Sequence, residues 1–345
     1  MMTMAMMTGP EPAVGVKTDA NEIKNEFAWS WSRHEMFYQC PRKIYWQYYG
    51  FWGGWKPDAP DVAALAYRLK QIRSVGMLVG GTLHEVVRER LHLRSEAGGP
   101  VPAQQIQDEV ERRVLKRMRE SRNRDWERFK NPKKYAILFE DYYGPGIDDA
   151  QRDAALALIR DCTKGFAANV YARRAFAVAK RRLRIIDPSD FEQMRLNIDG
   201  VLAYAAPDLV VEDAEGVLHV VDWKTGKTSK ADVAQLAVYG LYVTEKVGAP
   251  LERVVAHIVN VRTGERERHD RLRESVTEAR RRVSTYTADV RSRLTDVANN
   301  IAGDIERFPM TDNRQICRRC KFQEICARSD APAEAPDDDE DSERS

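Results

Sequence analysis

Long apolar runs are missing from this sequence, as are internal repeats, a large excess charge of either sign, and all but a few cysteines. No stretch approaches the roughly 18–20 apolar residues that a membrane-spanning helix needs, so no membrane association is expected. Residues 1–7 hold no basic side chain and meet Gly9-Pro10 too soon for a secretory signal. A cytoplasmic location is therefore expected. Thiols stay reduced there, and five cysteines in 345 residues do not read as a disulfide scaffold. What is present is 43% apolar content, ordinary for a globular chain and enough for one sizeable core.

The small net charge of +2 hides a division. Residues 337–345 hold six acids and one arginine, a net of −5, which leaves +7 on the rest. Basic residues crowd Arg112-Arg113, Lys116-Arg117, Lys180-Arg181-Arg182 and Arg280-Arg281-Arg282. Each run alone reads as a solvated face; together they suggest phosphate contacts. The Ala/Pro-rich acidic end, residues 329–345, cannot bury a core and is expected to be disordered, as are residues 1–26.

The most informative stretch is Asp222-Trp223-Lys224-Thr225, at the end of the apolar run Val217-Leu218-His219-Val220-Val221. Side chains alternate along a strand, so Asp222 and Lys224 share a face. Fourteen residues upstream, Asp208 heads a second run, Leu209-Val210-Val211, and Asp213-Ala214-Glu215-Gly216 between them reads as a hairpin turn. Two acids and one lysine then converge. Converging carboxylates are the hard ligands Mg²⁺ or Mn²⁺ prefers, and such an ion can bind a phosphate oxygen and acidify a water. The lysine would steer that water and offset charge growing on phosphorus. Asp199 is a rival carboxylate, but the strand pairing that favours Asp208 carries it away.

After Gly226 a helical pattern from Ala231 to Tyr242 puts Gln235 and Tyr239 four residues apart on one face. Near the start of an earlier helix, Gly80-Gly81-Thr82-Leu83-His84-Glu85 offers a histidine that could complete a metal shell. The order His84, Asp208, Asp222-x-Lys224, Gln235-x-x-x-Tyr239 resembles the RecB-like branch of the PD-(D/E)XK nuclease superfamily. The resemblance implies that His84, Asp208 and Asp222 are metal ligands, with the Trp223 carbonyl, and that Lys224 is the catalytic lysine. It also implies that Gln235 and Tyr239 orient that lysine and DNA.

Three cysteines form Cys317-x2-Cys320-x5-Cys326; Cys40 precedes Pro41-Arg42-Lys43 at the other end, and Cys162 stands alone among apolar helix residues. The cluster points to metal ligation, and by ligand count four thiolates suit a [4Fe-4S] centre or zinc equally. With Cys40 as the distant ligand, the spacing resembles the iron-sulfur staple of a subset of RecB-like nucleases, including CRISPR-adaptation exonucleases and some helicase-linked nucleases. That resemblance favours [4Fe-4S] in a structural role, clamping the chain ends.

The segment around Cys40 is dense in aromatics, from Phe27 and Trp29 to Trp52 and Trp55, which read as core around the cluster or as a stacking platform for single-stranded bases. Ser30-Trp31-Ser32-Arg33 predicts a helix N-cap at Ser30 or Ser32.

The expected fold is α/β: a restriction-endonuclease-like core with a small mixed β-sheet flanked by helices. One domain spans 27–328, with a helical insertion over about 104–178, a long helix over about 272–305, and the cysteine cluster at 317–326 joining the two ends. The resemblance to the iron-sulfur members of the family implies metal-dependent DNA hydrolysis, as an exonuclease on single-stranded or frayed ends and with a helicase or other DNA-processing enzyme as partner. A catalytically inactive DNA-binding or assembly subunit on the same fold is the alternative.

Overall fold

A computed structural model describes residues 17–18, 22–128, 132–188, 190–226 and 232–326. Helix α1 (Trp31–Gln39) begins at Ser30, whose hydroxyl accepts the Arg33 N–H, as the sequence predicts. Helices α2 (Val75–Leu93), α3 (Ala103–Arg122) and α4 (Asp149–Ala168) follow. Each has a capped or proline-led start: Ser74 accepts the Met77 N–H, Pro102 precedes α3, and Asp148 with Gln151 forms a capping box.

The chain then builds its main sheet. Strands β1 (Leu183–Ile186), β2 (Leu209–Glu212) and β3 (Leu218–Lys224) lead through α5 (Asp232–Val247) to β4 (Val254–Asn260), β5 (Arg266–His269) and α6 (Leu272–Arg291). The strand order is β5-β4-β3-β2-β1. β3 runs parallel to β4, as the α5 crossover requires, and every other neighbouring pair is antiparallel. The β2–β3 turn is the hairpin that Asp213–Gly216 announces: Asp213 accepts the Val217 N–H at 2.8 Å, and Gly216 sits at φ 81°, where a side chain would be strained.

Alternation along the strands feeds two cores. On one face Val210, Val220, Ala256 and Ile258 pack against Leu236 and Val243 of α5 and Val283 of α6. On the other, Leu209, Val211, Val221 and Val259 pack against Leu83 and Val87 of α2, Val110 of α3 and Phe166 of α4. Each such side chain, fully buried, contributes about 1.5–3 kcal/mol. Helix α4 lies so close to the chain leaving β4 that a Cβ on Gly165 would sit 1.7 Å from the Val261 carbonyl oxygen. Cys162, also on α4, is a fully buried core residue, as its apolar flanks suggest.

A smaller sheet joins Trp29–Ser30, Val201–Tyr204 and Arg195–Ile198. A third apolar cluster gathers Trp46, Phe51, Tyr67, Trp126, Phe139 and Phe322. Most of the early aromatics are thus core, with Tyr38 exposed at 49%.

Two expectations are adjusted. The long helix ends at Arg291 instead of near 305, because Leu294–Asp296 turns back to pair with Ile301–Ala302 through Asn300 at φ 51°. Within the expected N-terminal tail, Lys17–Thr18 pairs with Glu22–Ile23; residues 1–16 and 19–21, and the acidic end from 327, lie outside the described residues. Among the described residues no helix is long and apolar enough to cross a membrane.

Candidate functional site

The site forms where β2 stops. The β2–β3 register pairs Val221 with Leu209, so its next rung sets Asp222 opposite Asp208. Toward β3 it is the Asp208 carboxylate that accepts the Trp223 N–H, at 2.7 Å. The other oxygen lies 2.8 Å from His84 Nδ1. Asp208 and His84 are almost fully buried, so the pair fixes where α2 meets the sheet.

Asp222 and Lys224 share the α5 face of β3, while Trp223 turns the opposite way, its indole edge-on to Phe166 at 5.0 Å. Lys224 Nζ is 3.0 Å from Asp222 Oδ2 and donates to Gln235 Oε1 at 3.5 Å. Gln235 Nε2 donates to the Tyr239 hydroxyl at 2.9 Å, which donates in turn to Asp222 Oδ1 at 3.4 Å. The four side chains close a ring. Asp222 is only 4% exposed, and a buried carboxylate without such partners costs several kcal/mol.

All six residues that the sequence singles out therefore fall at one place, His84 bonded to Asp208 at the end of β2 and Gln235 and Tyr239 joined to Asp222 and Lys224 at the end of β3. The rival Asp199 is at the turn between two strands of the smaller sheet, paired with Arg280. The sequence profile of the PD-(D/E)XK nuclease superfamily matches residues 28–327. The chain belongs to this superfamily. No curated protein matches the sequence significantly. The α/β architecture is the restriction-endonuclease-like fold of the PD-(D/E)XK nucleases, enzymes that use divalent metals such as Mg²⁺ or Mn²⁺.

In a PD-(D/E)XK protein two buried carboxylates at the end of the central strands are the donor set a hard cation requires. Among the described residues, though, no three His, Cys, Asp or Glu side chains are gathered as a ready metal cage. Asp208 is instead engaged by His84 and Trp223, and Asp222 by Lys224 and Tyr239.

Several supporting residues escaped the sequence reading. Asn260, directly across from Lys224, donates to the Gly226 carbonyl at 2.6 Å and accepts the Arg262 and Thr263 N–H groups, tying down the chain just past the lysine. Arg113 and Arg117 of α3 brace α2 through Glu85, Glu89 and Thr82, beside His84. Asp187 follows β1 as Asp208 precedes β2, and its N–H donates to the Asp208 carbonyl at 3.0 Å. Its signal was available: like Asp222, it is an acid closing an apolar run, Leu183-Arg184-Ile185-Ile186.

Cys40, Cys317, Cys320 and Cys326 line one pocket with Arg42, Lys43, Trp46 and Met310. None of these four cysteines is in a disulfide among the described residues. Burial pushes the Cys320 thiol up to about 12, against the pull of the Lys43 charge. Positive charge in that pocket suits a centre held by four thiolates, whose net charge is negative. The surrounding segments are stitched together across the chain: Arg42 donates to the Phe308 carbonyl at 2.7 Å, Lys321 to the Lys70 carbonyl at 3.1 Å, and the Tyr143 hydroxyl to the Lys321 carbonyl at 2.8 Å.

Proposed function

We propose that this protein is a Mg²⁺- or Mn²⁺-dependent deoxyribonuclease of the RecB-like branch, an exonuclease acting on single-stranded or frayed DNA ends. The observation that carries the reading is the closed ring of Asp222, Lys224, Gln235 and Tyr239 on the rung beside Asp208. Such a ring is costly to build around a buried acid and has no evident packing purpose.

In this reading His84, Asp208, Asp222 and the Trp223 carbonyl hold the divalent ion. When bound, that ion draws charge from a phosphate oxygen and acidifies a water. Lys224 orients the attacking water and offsets the negative charge that grows on the phosphoryl group. Gln235 and Tyr239 keep the ammonium on the Asp222 side, so that it is in place before substrate arrives. Asn260 holds the backbone beyond Lys224. Cys40, Cys317, Cys320 and Cys326 hold a [4Fe-4S] cluster, with zinc as the alternative, in a structural role. A helicase or similar enzyme that exposes single strands is the partner this reading implies.

The test offers end-labelled single-stranded DNA, duplex DNA and RNA to the purified protein with Mg²⁺, Mn²⁺ or a chelator. The reading expects stepwise shortening of single-stranded DNA from an end, abolished by chelation. Cleavage that survives chelation overturns it. DNA binding with no cleavage in either metal makes the protein an inactive binding or assembly subunit on the same fold.

A further inference from the structure

The geometry points to Arg88 as a phosphate-holding residue that grips the strand being cleaved one helical turn beyond His84. The inference rests on the nuclease reading and adds to it a contact that the motif residues do not supply.

His84 and Arg88 stand four residues apart on α2 and so face the sheet from the same side. The sheet presents matching acids. Continuing the β1–β2 register places Asp187 opposite Asp208, as the Asp187 N–H to Asp208 carbonyl bond of 3.0 Å confirms. Asp208 is in turn opposite Asp222. Three carboxylates thus occupy one row across the ends of three neighbouring strands. His84 meets Asp208, and Arg88 meets Asp187.

The two meetings differ. His84 is in hydrogen-bond contact at 2.8 Å, whereas Arg88 Nη1 stands 3.7 Å from Asp187 Oδ2, too far for a hydrogen bond. Arg88 makes no hydrogen bond to another described residue, although its side chain is only 22% exposed. Two arginines of the neighbouring helix α3 are engaged by contrast: Arg113 holds Glu85 and Glu89 at 2.7 Å, and Arg117 holds Glu85 at 2.9 Å. A guanidinium has five donors in a planar fork that matches two phosphate oxygens. Arg88 is therefore kept near the site by charge while its donors remain open.

Distance along the helix fits a strand. Four residues advance about 6 Å, one to two nucleotides of a stacked strand at about 3.4 Å each. Positive charge continues in that direction: partial burial first, then the charges of Arg88 and Lys180, hold His92 below the usual histidine range. Asp187 then serves as the placeholder that a phosphate displaces, and it keeps Arg88 extended in the free protein.

Binding of a fluorescein-labelled single-stranded oligodeoxynucleotide to the Lys224→Ala protein in Mg²⁺ reads this directly, because cleavage is out of the way. Adding Arg88→Gln is expected to weaken binding roughly ten- to a hundredfold, as loss of a charge-assisted hydrogen bond would. The slope of log affinity against log salt should fall by about 0.7, one single-strand phosphate. Replacing single linkages with neutral methylphosphonate should weaken binding to the Arg88 protein most at one position, and Arg88→Gln should remove that sensitivity at that position alone. Unchanged affinity, or an equal loss at every linkage, overturns the proposal. If Arg88→Gln lowers the melting temperature so far that binding cannot be read, Asp187→Asn decides: tighter binding supports a displaced placeholder, and equal or weaker binding overturns it. Failure of wild-type cleavage would sink the nuclease reading alone, since the binding comparison needs no catalysis.

Discussion

The Lys224 ammonium lies 3.0 Å from the carboxylate of Asp222, two positions earlier on β3. The strand period of two makes this pairing unavoidable. Gln235 and Tyr239 on the next helix turn a local ion pair into a closed circuit.

Replacing Lys224 with alanine is expected to lower cleavage by about a hundred- to a thousandfold while DNA binding persists, the usual cost of losing a group aimed at developing charge. Single-turnover cleavage beside an anisotropy titration checks it. Cleavage within a fewfold of wild type would remove Lys224 from the chemistry.

Tyr239→Phe deletes the donor to Asp222 and strands the Gln235 amide. The bond is long, at 3.4 Å, so a loss of about 1 kcal/mol, roughly fivefold in kcat, is expected. Melting temperature should move little, which separates positioning from packing.

How much of this was legible beforehand can be read strand by strand. β2 and β3 were visible because apolar runs flanked a turn whose Asp213 and Gly216 chemistry is local. β5 was not: Arg266-Glu267-Arg268-His269 has no apolar alternation, since an exposed edge strand needs none and charge there discourages pairing with another chain. The break at Arg291 was hidden because Leu294 and Ile301 continue an apolar rhythm that only the Asn300 turn redirects. Within the site, the order of motifs picked out six residues that the fold brings together; Asp187 carried a local signal, but its place opposite Asp208, like the placing of Asn260 across from Lys224, depends on register between strands distant in sequence, which no local pattern encodes.

The cysteine pocket predicts a coloured protein. Anaerobic purification should give a brown sample with iron and sulfide in equal amounts; a colourless one with zinc would select the alternative metal. Cys40→Ser should lower metal content and melting temperature together, because it cuts the tie between segments more than 260 residues apart in sequence, as the Arg42–Phe308 contact already shows.

His34 sets an acid limit on stability. Burial above all, then the charges of Arg282 and Arg281 against an opposing Glu278, hold it at about 4, below its ordinary 6.5. The unfolded chain thus takes up the proton first as pH falls. The stability at stake is whole above about pH 6.5 and drains away down to about pH 4, on the order of 2 kcal/mol. His34 sits among Trp31, Tyr38 and Tyr286 rings, so His34→Phe should flatten melting temperature across that window. An unchanged slope would assign the acid sensitivity elsewhere.

Gly165→Ala should destabilise the fold by about 2–3 kcal/mol, since the added methyl meets a backbone oxygen that cannot rotate away. Urea titration measures it; a neutral effect would mean α4 can slide.

The ties from Arg42 to Phe308 and from Lys70 to Lys321 carry a consequence for synthesis. At the ribosome's pace of about 5–20 residues per second, the early aromatic segment waits on the order of tens of seconds for its partners to emerge. Nascent chains should therefore expose Trp46 and Phe51, which later bury against Phe322, and would be natural clients for a chaperone during that interval.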